Sequence, residues 1–80
     1  MKIKVKYFGL LADLTGCSEE VIDAENNLSS RELQELIHNK YPVFKEYEFN
    51  LAVNQSILQR EAVKLEEKDE IAFLPPYAGG

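Results

Sequence analysis

Hydrophobic and polar residues alternate without a break at the start of the chain. Within residues 2–7 the apolar positions are Ile3, Val5 and Tyr7, and every position between them is a lysine. A period of two with branched side chains predicts a half-buried β-strand. Phe8 follows on the lysine face. A large apolar ring is not expected on that face if the core lies on the other one. The segment 19–24 is interpreted as a second strand, paired with the first as a hairpin.

One helical pattern lies between these two strands, and a second follows them. Leu10, Leu11 and Leu14 recur at helical spacing before Gly16, which predicts a short helix closed by glycine. Ser29 and Glu32 form a capping-box pattern that begins the main helix, and Pro42 ends it. The predicted buried stripe of the main helix consists of Leu33, Leu36, Ile37 and Tyr41.

The second half of the chain again favours strands. Residues 49–53 alternate, residues 54–56 supply a turn, and residues 71–74 form a last strand that Pro75 and Pro76 end. The order of elements predicts an α+β fold of the β-grasp, or ubiquitin-like, type, with a mixed sheet of about four or five strands on one main helix. The first and last strands are expected to lie parallel in the middle. We therefore predict one domain over residues 1–74 and an extended tail over residues 75–80.

Composition and charge narrow the range of functions. The 80 residues carry a net charge of −5, which disfavours nucleic acid and anionic membranes as partners. A chain of this length has room for a core but not for a deep catalytic pocket, so an enzyme acting alone is disfavoured. The N-terminus does not resemble a signal peptide, and no stretch approaches 18 apolar residues, so we expect a cytoplasmic protein.

Side-chain chemistry points to neither catalysis nor a metal site. His38 lies off the predicted apolar stripe of the helix, and we interpret it as a solvated surface residue. Cys17 is interpreted as a partly buried thiol without a special role. One histidine and one cysteine cannot provide the roughly four ligands of a zinc site, so no metal and no stably bound cofactor are expected.

The C-terminal segment is the strongest functional signal. Two prolines directly follow a core strand, and the last two residues are Gly79 and Gly80. The four residues beyond Pro76 can extend about 13 to 14 Å, far enough to probe another protein's pocket. A terminal carboxylate has a pKa of about 3.5 and is a poor electrophile at neutral pH, so it reacts only after activation. An ATP-dependent partner could adenylate Gly80 and allow a thiocarboxylate or an amide to form.

Two apolar residues are expected on the face of the sheet that the helix does not cover. Phe8 lies opposite Val5 and Tyr7 in the alternation, and Leu74 lies opposite Phe73. With Leu58 or Ile57 they would form an exposed apolar patch at the base of the tail. Because contiguous exposed apolar patches mark protein interfaces, we predict that a partner binds there.

Three motifs carry a family resemblance, and it spans nearly all of the chain. They are residues 51–55 (LAVNQ), residues 69–76 (DEIAFLPP) and the terminal glycine pair. The chain resembles the small, sulfur-carrier subunits of molybdopterin synthase. The resemblance implies that a ubiquitin-activating-type adenylyltransferase uses ATP to adenylate Gly80, which becomes a thiocarboxylate. It also implies that the tail inserts into the large catalytic subunit of molybdopterin synthase, and that the sulfur is transferred to cyclic pyranopterin monophosphate.

The resemblance also assigns roles to individual positions. Gly80 would hold the sulfur, and Gly79 would pass through the partner's channel. The residues implied to bind the partner are Phe8, Leu58, Leu74, Pro75, Pro76, Tyr77, Ala78 and Gly79. Two positions depart from the family pattern: Lys68 stands where a glycine is usual, which implies a more strained turn, and Tyr77 stands where a smaller aliphatic residue is common.

Three alternatives remain open from the sequence. A related carrier that feeds thiamin thiazole synthesis shares the fold and the terminal glycines, although that family generally lacks the Leu-Pro-Pro before the tail. A ubiquitin-like modifier would instead be joined to lysines through Gly80. A plain binding module would have an inert tail.

Overall fold

The alternating segments form strands and the periodic segments form helices, with short turns between them. The computed structural model describes residues 1–58 and 62–76. In chain order, the elements are β1 (Lys2–Tyr7), α1 (Leu10–Thr15), β2 (Glu19–Asp23), α2 (Ser30–Lys40), a 3₁₀ helix (Pro42–Glu46), β3 (Asn50–Val53), β4 (Ser56–Ile57) and β5 (Glu70–Leu74).

The strands form one mixed sheet with the order β2-β1-β5-β3-β4. The first and last strands pair in parallel, and the other neighbours are antiparallel. The sheet packs on α2, which makes the fold α+β. The predicted β-grasp architecture, with the two terminal strands adjacent in the middle, is confirmed.

The predicted capping box begins α2 and thereby sets where this helix starts. The Glu32 amide donates to the Ser29 hydroxyl over 3.1 Å, and the Ser29 amide donates to the Glu32 carboxylate over 2.9 Å. The helix ends at Lys40, two residues before Pro42, as the restriction on residues preceding proline predicts. The residues fully buried between helix and sheet are Ile3, Val5, Leu33, Ile37, Phe44, Ile71 and Phe73.

The predicted burial of Leu36 is wrong, because its side chain is 43% exposed. The buried side of α2 carries Ser30, Leu33 and Ile37, which follow one another at spacings of three and four residues. Leu36 lies about 100° around the helix axis from Ile37 and so falls on the flank of this line. Ser30 takes the buried place at the first turn because its hydroxyl accepts a hydrogen bond from the Val63 amide at 3.0 Å.

The turn before β5 shows the effect of the lysine that replaces a glycine. Lys68 has a φ of 73°, which is in the left-handed region. A side chain there costs about 1 to 2 kcal/mol through the contact of Cβ with the following carbonyl. The Lys68 amide also donates to the Lys2 carbonyl at 3.0 Å, so the turn is held against β1. The expected strain in this turn is therefore present.

Replacing Lys68 with glycine is expected to stabilise the fold by up to about 1 kcal/mol, because glycine removes the Cβ contact but adds freedom to the unfolded chain. Urea unfolding monitored by circular dichroism measures the difference. Lys64→Gly is the matched control, since Lys64 is exposed and has no positive φ. That variant should lose about 0.5 to 1 kcal/mol, and destabilisation by both substitutions would contradict the account.

A polar cluster centred on Glu20 ties β2 to β1 and to the end of α2. The hydroxyls of Tyr7 and Tyr41 donate to one carboxylate oxygen of Glu20, at 2.7 and 2.8 Å, and the Lys40 ammonium donates to the other. Burial alone would raise the pKa of Glu20, but the hydrogen bonds from Lys40 and the two tyrosines outweigh it and lower the pKa. Burial and the bond to Glu20 raise the pKa of Tyr7 and of Tyr41, so both hydroxyls remain donors.

The Glu20 cluster is expected to make stability depend on pH in the acid range. Because its pKa is lower in the folded chain, Glu20 stabilises the fold above its unfolded pKa of about 4.3, and this contribution is lost as the pH falls through the folded value. Glu20→Gln should cost about 1 to 3 kcal/mol at pH 7 and flatten the decline in stability below pH 5. Urea unfolding between pH 3 and pH 7 provides the measurement.

Glu19→Gln is the control for this prediction. The Glu19 carboxylate is exposed and lies 4.0 Å from the Lys4 ammonium, a distance typical of a weak surface pair. Its replacement should change the free energy of unfolding by less than about 1 kcal/mol. If both variants lost the same free energy of unfolding, burial and the tyrosine hydrogen bonds would not account for the contribution of Glu20 to stability.

Candidate functional site

The face of the sheet opposite α2 carries Phe8 and Leu74 side by side. The Lys4 amide donates to the Asp69 carbonyl and the Phe8 amide donates to the Phe73 carbonyl, each at 3.1 Å. Both bonds follow the same register between the two strands. The parallel ladder therefore continues past the end of β1 and places Phe8 beside Leu74. Phe8 is 44% exposed, although it is a large apolar ring. The predicted position of both residues on the uncovered face is confirmed.

Ile57, and not Leu58, extends this patch across the sheet. Ile57 pairs with Ala52 in β4, and Ala52 pairs with Ala72 in β5, so these three residues share the uncovered face. The Ile57 side chain is 53% exposed. Leu58 alternates to the other face and packs against the core, so its predicted place in the patch is wrong. We call Phe8, Leu74 and Ile57, with the two alanines between them, the apolar patch.

Ion pairs lie on the uncovered face away from the apolar patch. The Lys6 ammonium lies 3.5 Å from the Glu70 carboxylate, and Lys2 lies 3.2 Å from Asp23. These lysines belong to β1, and their partners lie on the strands to either side. Charge therefore occupies one end of the face, and the apolar patch occupies the end where β5 gives way to the tail.

The tail leaves the sheet between two residues that the sequence does not mark as functional. The Asn50 side-chain amide donates to the Pro76 carbonyl at 3.2 Å. A Cβ on Gly9 would lie 3.2 Å from Cγ of Pro75, so the absence of a side chain lets the proline ring pack there. A single glycine at the end of a strand is a weak signal for such close approach. No sequence pattern reveals Asn50, because its partner lies 26 residues away.

The remaining predicted tail residues fall outside the described part of the chain. They are Tyr77, Ala78, Gly79 and Gly80. Pro75 and Pro76 are described and directly follow Leu74, the last residue of β5. The base of the tail is therefore adjacent to the apolar patch, as the sequence predicted.

The interpretation of His38 as a solvated surface residue needs correction. Its ring is half-buried and packs edge-on against Phe49 and Phe44, with centroids 5.6 and 6.5 Å apart. The Nε2 atom is buried without a hydrogen-bond partner among the described residues. Burial lowers the pKa of His38, and the charge of Lys45 lowers it further, which favours the neutral ring in this aromatic packing position. The sequence missed this because the aromatic neighbours come from the 3₁₀ helix and the segment after it.

The described residues contain no group of three or more histidine, cysteine, aspartate or glutamate side chains placed to bind a metal ion. Cys17 is half-buried, as interpreted from the sequence, and its thiol lies 3.8 Å from the Thr15 hydroxyl. Within residues 1–58 and 62–76, no helix combines the length and the apolar composition needed to cross a bilayer.

Comparison with known proteins gives consistent matches along the whole chain. The molybdopterin synthase sulfur carrier subunit of Caenorhabditis briggsae is 34% identical over 83 aligned residues, covering 100% of this chain and 99% of that protein. A Pyrococcus furiosus structure assigned as molybdopterin converting factor subunit 1 has a TM-score of 0.85 at 31% identity, over 95% and 98% of the two chains.

A solved assembly is also similar. In the Helicobacter pylori complex of subunits 1 and 2 of molybdopterin-converting factor, the matching chain has a TM-score of 0.70 at 28% identity, over the whole of both chains. The model of the ThiS family matches residues 5–80, from the middle of β1 to the terminal glycine pair. With this match and the β-grasp topology together, the chain is a member of the ThiS family.

Proposed function

We propose that this chain is the sulfur carrier subunit of a molybdopterin synthase. Its reactive group is the main-chain carboxyl of Gly80, and its side chains serve to hold and dock the tail. The protein is not an enzyme alone in this proposal. It delivers sulfur to cyclic pyranopterin monophosphate in the active site of a larger catalytic subunit.

The proposed chemistry proceeds in three balanced steps. The Gly80 carboxylate attacks the α-phosphate of ATP on an activating adenylyltransferase, which forms a glycyl adenylate and releases pyrophosphate. A sulfur donor at the oxidation level of sulfide then displaces AMP and leaves a thiocarboxylate. In the large subunit, the thiocarboxylate sulfur attacks a carbon of the substrate and displaces the oxygen bonded to it, which takes up a proton, so that a thioester links Gly80 to the substrate. Water then hydrolyses the acyl–sulfur bond, which returns the Gly80 carboxylate and leaves the sulfur on the product as a thiol.

The observation that carries this proposal is the position of the apolar patch. Phe8, Leu74 and Ile57 leave an apolar surface uncovered at the point where the chain departs from β5. An exposed apolar patch of this kind fits a protein interface better than a solvated sheet face. The Helicobacter pylori complex supports a large subunit as the partner, because it contains two different subunits of molybdopterin-converting factor.

Intact-mass measurement tests the proposal directly. The chain is incubated with the activating enzyme, ATP and a sulfur source, and it should gain the mass that corresponds to replacement of one oxygen by sulfur. Addition of the large subunit and cyclic pyranopterin monophosphate should return the original mass and yield a thiolated product. A carboxylate that stays unmodified in an otherwise active mixture would refute the proposal.

The same experiment separates the alternatives. Transfer of the sulfur only to a thiazole-forming enzyme would favour a thiamin-pathway carrier. Covalent conjugates on a denaturing gel, linked from Gly80 to lysines, would favour a protein modifier. Each of these outcomes counts against the molybdopterin assignment.

Phe8→Ala is expected to weaken binding to the large subunit by at least about 30-fold, because removal of a central aromatic anchor typically costs 2 kcal/mol or more. Isothermal titration calorimetry with the two purified subunits gives the affinity. Val21→Ala is the matched control, since Val21 is an exposed apolar residue on the same face but lies on β2, away from the patch. Its affinity should remain within about twofold of the original. An equal effect of both substitutions would argue against the patch as the interface.

A further inference from the structure

The end of β5 has a gap in its backbone hydrogen bonding. Leu74 pairs with Asn50 of β3, and the next two residues are prolines. Proline has no N–H group, so neither Pro75 nor Pro76 can donate to a neighbouring strand. The ladder therefore supplies no N–H hydrogen bond from these two residues where the chain leaves the sheet.

One hydrogen bond and one close approach restrict the chain at this point. On one side, the Asn50 side-chain amide reaches past its own pairing position and donates to the Pro76 carbonyl at 3.2 Å. On the other side, Gly9 follows β1 with a φ of 57°, and the ring of Pro75 lies so close that a Cβ on Gly9 would be 3.2 Å from its Cγ. The exit of the chain is thus restricted from both sides of β5.

The Asn50 contact determines the one backbone angle that proline leaves free. The pyrrolidine ring holds φ of Pro76 near about −65°. The direction of the Pro76 carbonyl is set by ψ of the same residue, so a hydrogen bond to that oxygen restricts ψ. Both backbone angles of Pro76 are then restricted, and they determine the direction in which the following peptide starts.

We propose that Asn50 is a positioning residue that aims the tail through its hydrogen bond to the Pro76 carbonyl. This inference rests on the proposed function for its purpose, since an aimed tail matters when a partner must receive it. Each residue that a partner must order on binding lowers the affinity about 5- to 30-fold. Ordering the exit in advance removes part of that loss.

Asn50→Asp is the sharpest test of this inference. Aspartate has nearly the same shape, but its carboxylate cannot donate and is repelled by the carbonyl oxygen. Asn39→Asp is the matched control, because Asn39 is exposed on α2 and the substitution changes the net charge equally. Asn50→Gln keeps the amide donor on a longer side chain, so it should retain part of the hydrogen bonding to the Pro76 carbonyl that Asn50→Asp loses.

The first measurement uses the full-length chain alone. The carbonyl ¹³C resonance of Pro76 should shift in Asn50→Asp and stay in place in Asn39→Asp, because loss of a donor changes the shielding of an acceptor carbonyl. An unchanged Pro76 resonance in Asn50→Asp would overturn the inference. This readout needs no partner and no sulfur chemistry.

The second measurement uses sulfur transfer with the large subunit. Asn50→Asp should raise KM for the carrier about 3- to 10-fold and leave kcat unchanged, as expected for a hydrogen bond that acts before the chemical step. If the wild-type chain transfers sulfur and Asn50→Asp has the same KM, the inference is overturned. If the wild-type chain transfers no sulfur while the Pro76 resonance shifts as expected, the proposed function fails and the positioning of Pro76 by Asn50 stands.

Discussion

Deletion of Gly79 and Gly80 is expected to abolish sulfur transfer and to leave the domain folded. The reacting atom in the proposed mechanism belongs to the main chain at Gly80, so no side chain can replace it. Misplacement of a reacting group by 1 Å can cost about 100-fold in rate, and removal of two residues moves the carboxyl much farther. The measurement is formation of thiolated product under single-turnover conditions.

Two controls accompany this deletion. The melting temperature should not change, because the deletion leaves intact the described core between the sheet and α2, whose last member along the chain is Phe73. The affinity for the large subunit should fall less than in Phe8→Ala, since the apolar patch remains. Sulfur transfer within tenfold of the original rate would contradict a reactive Gly80 carboxyl.

Phe73→Ala is expected to produce the largest loss of stability, about 3 to 5 kcal/mol. The Phe73 ring is fully buried in β5 and meets the rings of Tyr7, Phe44 and Phe49 at centroid distances of 5.8, 5.6 and 5.1 Å. Removing it opens a cavity at the point where strand, helix and 3₁₀ helix converge. Since domains are stable by only about 5 to 15 kcal/mol, a loss of this size is a large fraction of the total and should markedly lower the urea concentration at the midpoint of unfolding.

Phe8→Ala is the matched control for Phe73→Ala, because it removes the same side chain from the uncovered face of the sheet. It should change the free energy of unfolding by less than about 1 kcal/mol while weakening partner binding. Urea unfolding of both variants separates a residue that holds the core from one that faces a partner. Similar losses would contradict the assignment of the two faces.

The features that could be predicted from the sequence are those encoded by near neighbours in the chain. Alternation assigned Val5 and Phe73 to the core and Phe8 to the other face, and the capping pattern of Ser29 and Glu32 placed the start of α2. Each of these signals lies within a few residues. The parallel pairing of the terminal strands also followed, because the pattern of elements admitted few other arrangements.

The features that could not be predicted depend on which segments meet across the sheet. In the sequence, Asn50 does not differ from an ordinary strand residue, because its partner Pro76 comes beside it only when β5 pairs with β3. Glu20 reads as a surface carboxylate until Tyr7, Tyr41 and Lys40 converge on it from two other elements. The errors at Leu36 and Leu58 have the same origin, since alternation or helical spacing alone does not tell which side a neighbouring element covers.

The central position of β5 affects how the chain responds to tension on its tail. β5 has β1 on one side and β3 on the other, with hydrogen bonds to both. A pull along the strand from the end at Leu74 loads these two ladders in shear, so that many bonds resist at once instead of opening one after another. We therefore expect the domain to stay folded when the proposed insertion of the tail into a partner enzyme, and its withdrawal, put tension on β5.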